Sequence, residues 1–91
     1  MKKPEIQRNR IYYADGRVEP LQMPVQLENL QELVGGWIEA VHLDDGLTLV
    51  VNEEGLIHNL PANQALAETY VPGARDGMIF GNAVCLHIED L

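Results

Sequence analysis

The sequence predicts an α+β fold: a small, curved, mainly antiparallel sheet, open or partly closed, with one or two short helices covering it. Three observations predict it. Short β-prone runs alternate with Asp-Gly, Glu-Gly and Pro punctuation. A single stretch, residues 27–34, has its apolar residues at helical spacing. The 91 residues, 46% of them hydrophobic and 22% charged, suit one globular domain of residues 1–91 rather than a disordered chain.

The elements follow in order. Residues 1–10 read as a flexible basic arm. Ile11-Tyr12-Tyr13 is β-prone, Asp15-Gly16 supplies a turn, and Arg17-Val18-Glu19 resumes extended structure, so residues 11–23 predict a hairpin. Pro20 and Pro24 lack N–H donors and place its second strand at an edge, where another chain could pair. Leu27, Leu30, Leu33 and Val34 form one face of a short amphipathic helix, and Gly35 suits the left-handed position that closes it. Trp37–Leu43 and Leu47–Asn52 predict strands around Asp44-Asp45-Gly46. Glu53-Glu54-Gly55 then turns into a third strand, Leu56–Leu60, giving an antiparallel meander. Ala62–Tyr70 reads as a short helix or turn, and Val71–Gly77 as an exposed loop. Met78–Ile88 returns to β structure with a kink at Gly81-Asn82.

The formal net charge of −8 divides unevenly. Residues 1–17 carry Lys2, Lys3, Arg8, Arg10 and Arg17 against Glu5 and Asp15, or +3. Residues 18–91 carry Arg75 alone against twelve carboxylates, or −11. Nucleic-acid binding by the main body is therefore disfavoured, because neutralising phosphates requires a cationic face. No apolar run approaches the roughly 20 residues of a membrane span, and Lys2-Lys3 is not followed by an apolar signal region. A cytoplasmic setting is expected. Cys85 is the single cysteine, which excludes an intramolecular disulfide.

Most residues that could carry chemistry also have structural roles. Gly35-Gly36 follows a helix instead of preceding one, so it reads as a helix stop and not a phosphate cradle. His42, His58 and His87, with Cys85 near the last, lack a fixed set of metal ligands, and no metal or cofactor is expected. Cys85 lies in the apolar run Ala83–Leu86 and reads as a small hydrophobe. Most of the aromatics Tyr12, Tyr13, Trp37 and Tyr70 are expected to fill the core. No Ser-His-Asp order, phosphate loop or catalytic carboxylate pair is present, so an enzyme is not expected. The candidate binding residues are Arg8, Arg10, Arg17, Asn59, Asn63 and Arg75. Asn63 is also a natural cap, with Pro61 two residues earlier. The candidate acidic surface is Asp44, Asp45, Glu53 and Glu54, which serves solubility equally well.

Several segments stand in a recognisable order along the chain. They are Leu30-Gln31-Glu32-Leu33-Val34-Gly35-Gly36-Trp37-Ile38-Glu39, Asp45-Gly46-Leu47, Leu49-Val50-Val51-Asn52-Glu53-Glu54-Gly55, Leu60-Pro61-Ala62-Asn63 and Ile79-Phe80-Gly81-Asn82-Ala83. Over residues 25–86 the chain resembles a family of small proteins known as domain of unknown function 3846. The resemblance implies a protein of phages, prophages or conjugative elements, and it supplies no activity or catalytic residues. The expected function is a non-enzymatic binding module acting on a host protein with a basic surface, a DNA mimic with an anti-defence role being its sharper form. The alternatives are a binder of a small ligand or nucleotide signal, at a pocket or subunit interface, and a structural homo-oligomerisation module.

Overall fold

In the computed structural model, which describes residues 6–43, 46–55, 57–67, 69, 71, 73–74 and 77–90, the first element is the expected hairpin. Strand β1 (Arg10–Tyr12) pairs antiparallel with β2 (Val18–Pro20). The Tyr13 N–H donates to the Arg17 carbonyl at 2.9 Å and the Gly16 N–H to the Tyr13 carbonyl at 3.0 Å, closing the turn. Helix α1 (Leu27–Val34) follows and buries Leu30 and Val34. Leu27, expected on the same face, is 56% exposed because it lies in the first turn, beyond the sheet's reach. Gly35 ends the helix at φ +81°, with its N–H on the Gln31 carbonyl at 2.8 Å. A left-handed residue at this point redirects the chain and satisfies a terminal carbonyl.

Strands β3 (Ile38–His42) and β4 (Leu47–Asn52) form a second hairpin. The expected third strand of a meander does not follow. Leu56 lies outside the described residues, and residues 57–59 form turns, with the His58 N–H on the Glu54 carbonyl and the Leu60 N–H on the Gly55 carbonyl, both at 2.9 Å. Asn59 sits at φ +56°, a conformation that asparagine tolerates. The second neighbour of β4 is instead β5 (Ala83–His87), in register from Leu47↔His87 to Val50↔Val84. The interior of a sheet covered on both faces favours apolar side chains on both sides of a strand, with any buried polar group hydrogen-bonded. Ala83-Val84-Cys85-Leu86 meets that preference, whereas a strand over residues 56–60 would bury His58 or Asn59.

The sheet order is β2-β1-β5-β4-β3, antiparallel throughout and open. One face packs Ile11, Val50, Val84 and Leu86 against Leu21 and Leu30, under α1. The other packs Tyr12, Val41, Leu49, Val51, Ala83 and Cys85 against Leu66, Val71 and Ile79 from the segment between β4 and β5. Leu49 and Leu86 are wholly buried on opposite faces. Each contributes about 1.5–3 kcal/mol by leaving water. Within the covering segment, residues 65–67 are a turn, the coarser of the two forms expected there. The expected kink is present at Gly81, which adopts φ +85°, and the strand proper starts only at Ala83. Ile88–Asp90 leave the sheet in a 3-10 turn.

Candidate interaction surface

Three asparagines, Asn52, Asn63 and Asn82, hold this fold together from inside. The Asn52 amide donates to the Val34 carbonyl at 3.1 Å, and the Asn82 amide to the Leu33 carbonyl at 2.8 Å. The last carbonyls of α1 are therefore capped by side chains from β4 and from the entrance to β5, solving a problem that every helix end poses. Asn82 also accepts from the Ala14 N–H at 2.9 Å, tying the first hairpin turn to the helix end. Asn63 is 3% exposed. Its amide nitrogen donates to the Tyr12 and Gly81 carbonyls at 2.7 and 2.8 Å, and its oxygen accepts from the Leu66 N–H at 3.0 Å. Asn63, a candidate binding residue, is thus engaged as a buried cap. Asn59 is exposed, at a left-handed turn position.

The basic candidates do not converge. Arg8 pairs with Asp90 at 2.9 Å. Arg10 folds back onto the carbonyls of Arg8 and Asn9 at 3.4 and 3.1 Å. Arg17, at the opposite end of the hairpin, reaches Asp15 at 2.8 Å and Glu19 at 3.1 Å, and its guanidinium lies 4.2 Å from the Tyr13 ring centre. The Asp15 carboxyl is held below its usual range, first by the Arg17 backbone N–H and then by the Arg17 side chain. Arg75, Asp44 and Asp45 lie outside the described residues. Residues 6–10 of the basic arm lie along the sheet. The Asn9 N–H donates to the Cys85 carbonyl at 2.8 Å, the Gln7 N–H to the Tyr12 hydroxyl at 2.7 Å, and Ile6 packs on the core.

The histidines are also apart. His42 contacts Thr48 at 3.1 Å, His58 contacts Glu54 at 3.2 Å, and the His87 ring nitrogen accepts from the Glu89 N–H at 3.2 Å. Among the described residues no three His, Cys, Asp or Glu side chains converge as metal ligands. Burial pushes the Cys85 thiol up to about 11, so it stays protonated at neutral pH and is a poor nucleophile.

Glu53 and Glu54, by contrast, occupy a distinctive place. They rim a cleft of about 240 Å³ on the loop-covered face, with Glu39 on its β3 side and Val41, Val51 and Ile79 lining it between them. Ile57 and Met78 also line this cleft, and they are 75% and 49% exposed. Trp37, just before β3, is joined through its backbone to the cleft residue Glu53. Its carbonyl accepts from the Glu53 N–H at 2.9 Å, and the residue is 71% exposed. The only tryptophan of the chain is therefore on the surface, contrary to the expectation that aromatics fill the core. Tyr12 does fill it. Ile57 and Met78, large exposed apolar side chains in the lining of a carboxylate-rimmed cleft, form a surface with both an attractive charge and area to bury. At this size the cleft lies below the 300–1,000 Å³ usual for small-ligand pockets. It suits single side chains of a larger partner.

A second groove, about 440 Å³, runs between the first hairpin and α1 and is lined by Ile11, Pro20, Leu21, Val25 and Leu33 with Asn29 and Glu32. No arginine or lysine lines either cavity among the described residues. No described helix is long and apolar enough to cross a membrane. Compared with known proteins, the chain matches a family model, Domain of unknown function (DUF3846), over residues 9–90. This match takes in the first hairpin as well as the motifs that cap the helix. No curated protein and no solved structure gives a significant match.

Proposed function

We propose, from the premise that the chain belongs to the DUF3846 family, that it is a non-enzymatic binding module for a partner protein with a basic surface. The observation that carries this reading is the cleft rimmed by Glu39, Glu53 and Glu54, with Ile57 and Met78 exposed in its lining and an exposed Trp37 bonded through its backbone to Glu53. Complementary charge accelerates encounter and selects the partner, and the apolar residues supply contact area once charges have aligned it. The setting that goes with the proposal is an accessory protein of a phage or mobile element in the cytoplasm of its host, acting on a host protein. Its sharper form is DNA mimicry, in which the carboxylates occupy a surface built for phosphates.

The test is retention of host proteins on the immobilised chain at low salt, beside a Glu39→Lys/Glu53→Lys variant and a Trp37→Ala variant. A basic protein held by the wild type, released near 0.5 M salt (an order-of-magnitude value set by charge screening) and lost from both variants, supports the proposal. Equal retention by wild type and variants, or none by any of them, removes it. Competition by duplex DNA for the same partner separates mimicry from simple charge attraction.

The hairpin–helix groove favours a second reading, a small apolar ligand, because its volume and its largely apolar lining fall within the usual range for such sites. A reproducible small-molecule adduct in native mass spectrometry is the result that reading requires.

A further inference from the structure

The two ends of the sheet differ in what they leave unpaired, and the β3 end lies beside the acidic cleft. Antiparallel ladders alternate between residues that exchange hydrogen bonds with a given neighbour and residues whose backbone groups point away from it. On the β3–β4 ladder, the Glu53 N–H bonds to the Trp37 carbonyl at 2.9 Å and the Leu43 N–H to the Leu47 carbonyl at 2.7 Å. Between these ends the register runs from Ile38↔Asn52 to His42↔Thr48. Glu39 and Val41 therefore bond to β4, while the N–H and C=O groups of Ile38, Ala40 and His42 point outward from the sheet. No other described backbone group bonds to those three. Glu39, Ala40 and His42 are exposed.

Natural edges are commonly blunted by proline, lysine or a bulge. Strand β3, Ile-Glu-Ala-Val-His, has neither residue, and its register is unbroken. Its one charged group is Glu39, on the cleft side. That carboxylate works against a second copy of the chain. Twofold antiparallel pairing of β3 centred on Ala40 sets the two Glu39 side chains diagonally across one face, about 7–8 Å apart between strands. It also brings together two chains that each carry −8. The same carboxylate, with Glu53 and Glu54 alongside, favours a cationic strand, and no described residue of β3, β4 or the cleft lining is lysine or arginine.

We infer that the edge of β3 takes up an extended, basic segment of the partner protein as a sixth, antiparallel strand. The inference rests on the proposed binding role and names its mode. In that arrangement, partner residues directly opposite Ile38, Ala40 and His42 donate and accept with the backbone of β3. Their neighbours point their side chains toward Glu39 and the cleft, and these are the positions for lysine or arginine.

The probe is a short peptide of alternating lysine and valine, blocked at both ends. Two derivatives are N-methylated at every valine amide or at every lysine amide. Each removes half of the backbone donors without altering charge. With lysines facing Glu39, the valine amides are the ones directed at β3. Valine methylation is therefore expected to weaken binding by more than about tenfold, and lysine methylation to leave it nearly unchanged. Amide hydrogen exchange of Ile38, Ala40 and His42 is expected to slow in the complex. If both derivatives bind like the parent while Glu39→Lys still abolishes binding, strand addition fails and the acidic binding role survives. If the parent peptide does not bind at low salt, strand addition fails. The binding role falls as well only where no basic partner is retained by the immobilised chain. Slow exchange at those amides that grows with protein concentration in the absence of peptide assigns the edge to a second copy and overturns the inference.

Discussion

The two faces of the sheet are closed by different physical means. Under α1, closure is repetitive: Leu30 and Val34 are buried one helical turn apart, and Leu30 packs with Val50, Val84 and Leu86 while Leu33 lies against the same cluster. On the opposite face no α-helix or strand is found among the described residues between β4 and β5. Leu66, Val71 and Ile79 reach the core from turns, and Asn63 fixes those turns by hydrogen bonds to Tyr12, Gly81 and Leu66. A helix satisfies its own backbone except at its ends, so its lid needs an apolar stripe and the two caps from Asn52 and Asn82. An irregular cover must find a partner for each buried N–H and C=O, and one buried amide supplies three of them.

That contrast gives its largest expected effect at Asn63. Asn63→Ala leaves two buried carbonyls and one N–H without this partner, at roughly 1–3 kcal/mol each before relaxation, so a loss of about 4 kcal/mol in denaturant unfolding is expected. Hydrogen exchange should accelerate over residues 60–81 before it does in α1. Uniform acceleration in both covers would mean that the two faces are one cooperative unit. Leu30→Ala tests the other side. A buried leucine truncated beneath the helix is expected to cost about 3 kcal/mol, with α1 losing protection first.

Next in size is an alkaline effect confined to the loop-covered face. The buried Cys85 thiol is raised to about 11 from an ordinary 9.0. Between these values the unfolded chain releases the proton while the folded chain keeps it. Stability is therefore full below pH 9 and falls as pH rises through the window, by about 2–3 kcal/mol at ~1.4 kcal/mol per unit. Chemical unfolding at pH 8 and pH 11 checks the drop, and Cys85→Ala should reduce its slope. The buried Tyr12 hydroxyl, also raised chiefly by desolvation, adds in the same direction at higher pH.

The smallest effect separates two glycines of similar backbone geometry. Gly35 at φ +81° has open space where a side chain would stand, so Gly35→Ala is expected to cost only the backbone strain, about 1 kcal/mol. Gly81 at φ +85° would place its new carbon 2.9 Å from the Leu60 Cδ1, and Gly81→Ala is expected to cost about 2 kcal/mol. Thermal melts of the pair decide it. Equal shifts would remove the packing distinction.

Legibility in the sequence followed the same division. The helix with its Gly35 stop, the first hairpin and strand β4 were readable, because each is governed by neighbours along the chain. The placement of β5 between β1 and β4 was not, since strand order depends on which segment can be apolar on both faces. The supposed strand over residues 56–60 failed on that competition. At the surface, the acidic pair Glu53 and Glu54 was identified, but Glu39 and Trp37 were missed as its neighbours. A β-prone alternation does give Glu39 and Val41 one face. Nothing local, however, indicates that the cover between β4 and β5 leaves a cleft there. Asn63 could be read as a cap, whereas the capping of α1 by Asn52 and Asn82 required knowing that three distant segments meet.

The position of β5 has a consequence for synthesis. Strands β1 and β4, its two neighbours, precede residues 83–87 in the chain and emerge from the ribosome before them. Until then the nascent chain holds two separate hairpins, each with an apolar side and no seam to join them. Contacts this distant in sequence form late and slowly. The interval before β5 emerges is therefore when Leu49, Val50 and Val51 are exposed to misassembly, and when a chaperone has most to do.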